Sequence, residues 1–173
     1  MVGKQSESKK TGNKMINYFA YGSNMDKEDL DKWCKNRGLP EVKFLSISPA
    51  KLNGYKLSFN YFSNTRGAGA ANIMKSKKDC VYGLLTEIRE RDLEIIRDKE
   101  GCPDFYDEIC VDVEKFDGTM VRDVKTYKVV KVKEKPSHQP PTRYYMGLII
   151  KNAKKYDFPI GYVKFLESVK TKD

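Results

Sequence analysis

The sequence predicts an α+β fold: a mostly antiparallel, strongly curved or barrel-like sheet with a few flanking helices. Three observations predict it. β-Branched and aromatic residues in strand-like runs dominate the middle of the chain, from Val42 to Val132. Helical periodicity is confined to stretches after Asp26, after Arg89 and after Thr142. Turn signals separate these runs, with no internal repeat and no break that marks a second domain. Residues 15–173 therefore read as one domain behind a polar, basic leader of residues 1–14, expected to be disordered.

The elements follow in order. Ile16 to Tyr21 reads as a first strand that ends in Gly22-Ser23-Asn24, three turn-forming residues. Asp26 opens a helix, DKEDLDKWCKNRG, with acids in its first turn and Arg37-Gly38 at its close. Leu30, Trp33 and Cys34 form its apolar face. Val42 to Ile47 and Tyr55 to Phe62 read as strands, followed by a flexible loop from Asn64 to Gly69 that carries Arg66. Ala70 to Met74 and Val81 to Ile88 read as a hairpin about the polar run Lys75 to Asp79. Arg89 to Lys99 reads as a short helix stopped at Glu100-Gly101, where glycine suits a left-handed cap. Asp117-Gly118 joins strands Tyr106 to Phe116 and Met120 to Val132. Glu134 to Thr142, with three prolines and His138, reads as an extended loop. Thr142 then caps a helix with the stripe Tyr145, Leu148, Ile149, Ala153 and Tyr156. Pro159 starts a last helix with Tyr162, Val163, Leu166 and Val169 inward.

Composition excludes several classes of function. With one histidine and four cysteines at positions 34, 80, 102 and 110, none in a CxxC pair, the chain offers no zinc site. A Ser-His-Asp or Cys-His site would have to use His138, in a proline-rich loop. There is no Walker loop or Rossmann fingerprint, and GAGA at 67–70 lacks the strand-before, helix-after setting of a phosphate loop, so it reads as a mobile hairpin loop. No metal and no cofactor are expected. The net charge of +9 is spread among interleaved acids, so a solvated lysine-rich surface is expected rather than a nucleic-acid partner. No apolar run reaches the roughly 18 residues of a membrane span, and no secretory signal is read at the start. The expected setting is the cytoplasm, with reduced thiols.

What remains is a glycine turn at a strand end, whose backbone N–H groups can receive an anion, together with several carboxylates. The string Tyr18-Phe19-Ala20-Tyr21-Gly22-Ser23-Asn24-Met25 resembles the N-terminal signature of the γ-glutamylcyclotransferase family. Four later stretches resemble it in order: Gly69 to Ile73, a small-residue strand; Asp79 to Leu85; Asp98-Lys99-Glu100-Gly101 followed by Tyr106; and the pair Pro140 to Tyr145 and Phe158 to Tyr162. The resemblance spans about residues 16–170.

That resemblance implies a γ-glutamyl cyclotransferase, which releases 5-oxoproline and an amine or amino acid from a γ-glutamyl amide. The substrate's own α-amine is the nucleophile, which agrees with the missing serine and cysteine sites. It implies that Tyr18, Phe19, Ala20, Tyr21, Gly22, Ser23 and Asn24 form the substrate loop and that Glu100 is the general acid/base. Tyr145 is implied to hold substrate, with Tyr144 the adjacent alternative. Cys102 to Phe105 lengthen the stretch between Gly101 and Tyr106 beyond the family form, which leaves Asp98 and Asp104 as rival carboxylates. Arg66 and Arg143 are further candidate anion contacts. The implied partner is a small-molecule γ-glutamyl substrate, and a homodimer is allowed. Two alternatives stand beside the enzyme: a catalytically inactive small-molecule-binding module on the same fold, and an unrelated basic binding protein.

Overall fold

The computed structural model describes residues 13–173. The leader expected over residues 1–14 lies, but for its last two residues, outside the described residues. Five strands close into a barrel in the order β1-β3-β2-β4-β5: β1 (Met15–Ala20), β2 (Ser46–Ser63), β3 (Ala68–Arg89), β4 (Tyr106–Lys115) and β5 (Met120–Val129). Every neighbouring pair is antiparallel except β1 and β5, which meet in parallel where Tyr18 faces Lys125 and so close the ring. Four α-helices flank it: α1 (Lys27–Asn36), α2 (Glu90–Glu100), α3 (Arg143–Lys155) and α4 (Ile160–Ser168).

β2 and β3 carry the barrel, and here the structure departs from the local reading. Ala70–Met74 and Val81–Ile88 are not two arms of a hairpin. They belong to one strand of 22 residues that pairs with β2 from end to end. The polar run Lys75 to Asp79 mimics a turn, but it is the outer side of an irregularity where the register shifts opposite Asn53 and Tyr55. Gly54, at φ 81°, lets β2 bend at the same point. Val42 to Phe44 form no strand. After the helix end and Pro40, Val42 plugs the core fully buried, and pairing with β3 begins only at Leu45, whose N–H donates to the Glu87 carbonyl at 2.8 Å. Of GAGA, Gly67 lies in the β2–β3 hairpin turn as read, but Ala68 to Ala70 already belong to β3. Ala68, Ala70 and Ala71 are buried, and a side chain on Gly69 would stand 1.8 Å from the Gln139 carbonyl oxygen. The glycine lets the proline loop lie directly on β3, with the Gly69 N–H donating to the Pro140 carbonyl at 3.0 Å.

Elsewhere local chemistry and structure agree. Thr142 Oγ1 accepts from the Tyr145 N–H at 3.1 Å as an N-cap, and Asp26 Oδ1 accepts from the Asp29 N–H at 2.9 Å at the start of α1. Tyr145, Leu148, Ile149 and Ala153 face inward from α3, and Val163 and Leu166 from α4. One connected apolar cluster runs from Tyr18 to Leu166 through the barrel and under α2 and α3.

Candidate active site

The chain leaves the sheet at Tyr21, turns through Gly22 and makes a single 3-10 turn, Ser23–Met25, before α1. This turn is pinned at both ends. Upstream, the Tyr21 hydroxyl donates to the Tyr127 carbonyl on β5 at 2.6 Å. Downstream, the buried Asp26 carboxylate accepts from Asn152 at 2.8 Å and Lys151 at 2.6 Å, both on α3. Burial alone would raise the Asp26 carboxyl, but donors from Lys151, the Asp29 N–H and Asn152 outweigh it and hold it below the usual carboxylate range. The N–H groups of Gly22, Ser23 and Asn24 have no acceptor among the described residues, as the first donors of a helical turn do not.

The turn forms one wall of a cavity of about 730 Å³. Other walls come from one face of α1 (Asp29, Lys32, Trp33, Asn36) with Arg37 just beyond it, the β2–β3 turn, the end of α2 and the start of α3. Buried tyrosines line its floor: Tyr18, Tyr21, Tyr61, Tyr106, Tyr127 and Tyr145. Burial raises each phenol above its ordinary pKa, so these hydroxyls are neutral donors and acceptors. Two of them grip the backbone of one residue of the small-residue strand, on either side of its Cα. Tyr145 accepts from the Ala71 N–H at 3.0 Å, and Tyr106 donates to the Ala71 carbonyl at 2.8 Å. Methyl side chains at Ala70 and Ala71 let both rings reach the backbone.

Glu100 is the last residue of α2, followed by Gly101 in the left-handed conformation at φ 62°. Gly101 turns the chain away, while Glu100 faces the cavity. Its Oε1 accepts from Asn24 Nδ2 at 2.7 Å, and Oε2 has no partner among the described residues. Desolvation pushes its carboxyl above the ordinary glutamate value; the Lys99 charge, the Asn24 hydrogen bond and the Arg66 charge only partly offset it. A carboxylate at a helix C-terminus also faces the negative end of the helix dipole.

α2 is itself held against the barrel. Leu93 and Ile96 are fully buried, and Arg97 forms a two-pronged pair with Glu108 on β4, Nε to Oε2 at 2.6 Å and Nη2 to Oε1 at 2.9 Å. Tyr127 adds a third donor to Glu108 at 2.8 Å. From the β2–β3 turn, Arg66 reaches across the cavity. Its Nη2 donates to Ser23 Oγ at 3.3 Å, and its guanidinium stands 4.7 Å from the centre of the Tyr145 ring.

The structure thus gathers Tyr18, Tyr21, Gly22, Ser23, Asn24, Glu100 and Tyr145 around one cavity. Phe19 and Ala20 do not line it. Strand alternation turns Phe19 to the opposite face, where it packs fully buried beside Gly83. Between the adjacent tyrosines, Tyr145 is buried, whereas Tyr144 is 62% exposed and donates to Asp29 at the cavity mouth. Of the rival carboxylates, Asp98 is exposed at the rim, and Asp104 is exposed and lines no part of the cavity. Arg143 lies away from it, bonded to Asp173. His138 is exposed against the Lys170 carbonyl at 2.8 Å. Among the described residues, no group of three or more His, Cys, Asp and Glu stands close enough to hold a metal ion. Sequence reasoning missed Lys99, whose Nζ donates to Asn24 Oδ1 at 2.7 Å, and Trp33 as a cavity wall. The one signal for Lys99 was its place beside Glu100.

A family model described as "Gamma-glutamyl cyclotransferase, AIG2-like" matches residues 18–146, from the first cavity tyrosine through Tyr145. This chain belongs to that family. It is 29% identical to the Gamma-glutamylcyclotransferase of Bos taurus over 161 residues, covering 90% of this chain and 79% of the bovine protein. The Homo sapiens Gamma-glutamylcyclotransferase is 27% identical over the same span and coverage. A solved structure named Gamma-glutamyl cyclotransferase matches at TM-score 0.74 and 27% identity, covering 92% of this chain and 90% of that one. The barrel and its flanking helices are therefore the fold of the family. Among the described residues, no helix is long and apolar enough to cross a membrane.

Proposed function

We propose that this protein is a γ-glutamyl cyclotransferase, converting a γ-glutamyl amide into 5-oxoproline and a free amine or amino acid, with Glu100 as its general acid/base. The observation that carries this reading is the Glu100 carboxylate inside the cavity. It is anchored through one oxygen by Asn24 of the family's signature turn, and its other oxygen has no partner among the described residues.

The chemistry follows from what the cavity offers. The α-carboxylate of the glutamyl group has two kinds of partner, the free N–H groups of Gly22 to Asn24 and the Arg66 guanidinium. Held there, the glutamyl chain folds so that its α-nitrogen approaches its own γ-carbonyl carbon. Closing a five-membered ring from such a pose removes at best about 7–11 kcal/mol of barrier. The α-nitrogen arrives as an ammonium. Glu100 Oε2 takes one proton from it, and the freed lone pair of the neutral amine forms the new C–N bond at the γ-carbonyl carbon. The ring nitrogen then gives up a second proton as the amide C–N bond breaks, and the leaving nitrogen takes both protons by way of Glu100 and departs as an ammonium. One carboxylate serves both steps, and its raised pKa brings it closer to the working pH for each. Tyr145 and Tyr18 flank this path as neutral hydroxyls. The substrate supplies the nucleophile, and the cavity residues supply anion binding and proton transfer.

We also propose that residues 15–173 act as one domain, a reading supported by the single connected apolar cluster among the described residues, and that the setting is the cytoplasm. The test of function is incubation of the purified protein with a panel of γ-glutamyl amino acids and γ-glutamylamines, scoring 5-oxoproline by mass spectrometry. Catalytic release from at least one compound is expected. Binding of the panel by calorimetry with no 5-oxoproline from any of it would replace the enzyme with an inactive binding module.

A further inference from the structure

We propose that Lys99 is a positioning residue for the Glu100 proton transfer: its ammonium locks the Asn24 amide in the orientation that favours ionised Glu100. This rests on the acid/base role given to Glu100 above.

The geometry is a three-part relay. Lys99 Nζ donates to Asn24 Oδ1 at 2.7 Å, and Asn24 Nδ2 donates onward to Glu100 Oε1 at 2.7 Å and to the Tyr18 hydroxyl at 3.0 Å. An amide side chain can sit in either of two flips, and its neighbours decide which. The Tyr18 hydroxyl accepts or donates, so it imposes no choice. An ammonium only donates, so Lys99 requires the amide oxygen on its side and thereby aims the NH₂ group at Glu100. Without Lys99 the amide can turn over whenever Glu100 is protonated. Its oxygen would then face Glu100, an arrangement that suits the protonated acid. The lysine charge works in the same direction as the amide, because a cation beside a carboxyl favours its ionised form.

Lys99 is built into this place rather than waving in solvent. Burial pulls its ammonium below the ordinary lysine range, opposed chiefly by the Glu100 charge. It lies 6.0 Å from the centre of the Trp33 ring on α1. The other groups that act on Glu100 are fixed on different elements. Arg66 from the β2–β3 turn is a second cation. The phenols of Tyr18, Tyr21, Tyr61, Tyr106 and Tyr145, from β1, its following turn, β2, β4 and α3, are buried and neutral. At the mouth, Asp29 and Lys32 of α1, Arg37 just after it and Asp98 of α2 balance in charge. Among the described residues, Lys99 alone of the cations touches the residue that holds Glu100.

The test compares wild type with Lys99→Met, which keeps the length of the side chain but neither charge nor donor, and with Lys99→Arg, which restores both. Two readouts are taken: kcat/KM against pH for 5-oxoproline release from γ-glutamyl-alanine, and carbon-13 NMR titration of the Glu100 carboxyl. In Lys99→Met the acid limb and the Glu100 titration are expected to move up together by about one pH unit, with Lys99→Arg returning toward wild type. A lower plateau with an unmoved limb and an unmoved titration would reduce Lys99 to a packing residue and overturn the proposal. Should Lys99→Met fail to fold, Lys99→Leu, likewise without charge or donor, carries the same comparison. If wild type releases no 5-oxoproline while the titration still shifts, the relay stands and the cyclotransferase reading falls.

Discussion

Glu100 and Glu108 lie on either side of the short connection between α2 and β4, and the fold treats them in opposite ways. Glu108 meets a bidentate guanidinium and a phenol, which fill both its oxygens; the Arg97 hydrogen bonds hold its carboxyl below the usual range against the pull of burial. Glu100 is desolvated but meets one amide donor, and its carboxyl is held above the usual range. One residue type does two jobs because the number of donors differs. A fully bonded carboxylate is a clamp that fastens α2 to the barrel. An under-bonded carboxylate in a cavity is a group kept ready to move a proton. The clamp also serves the site, since it fixes the helix that carries Glu100.

The largest effect is expected from breaking the proton-moving side of this comparison. Glu100→Gln keeps the shape and can still accept from Asn24, but it cannot take a proton from an ammonium. Turnover should fall by about 10²–10⁴-fold with KM little changed, as steady-state kinetics would reveal. Asp98→Asn and Asp104→Asn should stay close to wild type. A dead Asp104→Asn beside an active Glu100→Gln would move the catalytic carboxylate a few residues along the chain.

Breaking the clamp should cost stability instead. Glu108→Gln loses one charge-assisted pair and leaves Arg97 partly unmatched. Urea unfolding should report a loss of about 1–3 kcal/mol, with turnover per folded molecule largely retained.

The two glutamates also predict opposite pH behaviour. The Glu108 carboxyl is depressed in the folded state. Its contribution is present above the ordinary carboxyl value and is lost as pH falls through the folded value. The Glu100 carboxyl is raised. Its contribution is present below the ordinary glutamate value and is lost as pH rises through the folded value. Glu100→Gln should therefore melt at or above the wild-type temperature at neutral pH, with the gap closing toward acid. Glu108→Gln should melt below wild type at neutral pH and converge with it in acid. Calorimetric melting across pH 4–8 would check both trends. Wild-type turnover should rise with pH through the raised Glu100 value.

The smallest effect is expected at the cavity mouth. Tyr144→Phe removes one exposed hydrogen bond to Asp29 and should cost about 0.5 kcal/mol or less with little change in turnover. Tyr145→Phe leaves the buried Ala71 N–H without its acceptor, and should weaken both stability and turnover more.

Local chemistry explains which parts of this were legible in the sequence. The Thr142 cap, the Asp117-Gly118 turn and the left-handed Gly101 are set by a few neighbouring atoms, and each stands where its residues imply. The great length of β2 and β3 was not legible, because a bulge and a turn present the same polar residues. Buried asparagines were hidden for the same reason. Asn72 is fully buried, and its Oδ1 accepts from the Ile73 and Val129 N–H groups, a replacement of ladder bonds that no periodicity announces. In the site, Tyr18 to Asn24 and Glu100 came from the family resemblance, and strand alternation then set Phe19 apart from the cavity wall, which Ala20 does not line either. Lys99 and the clamp at Glu108 depend on contacts between distant elements, which only the closed barrel brings together.

The comparison is tested most directly by titrating both carboxyls in one sample of the wild-type protein, with carbon-13-labelled glutamate followed by NMR and assigned through Glu100→Gln and Glu108→Gln. The account predicts that Glu100 titrates above the ordinary glutamate value and Glu108 below it, with the Glu100 midpoint matching the acid limb of kcat/KM. Glu100 titrating at or below Glu108 would contradict it, because the carboxylate in the cavity would then be another clamp and not a base.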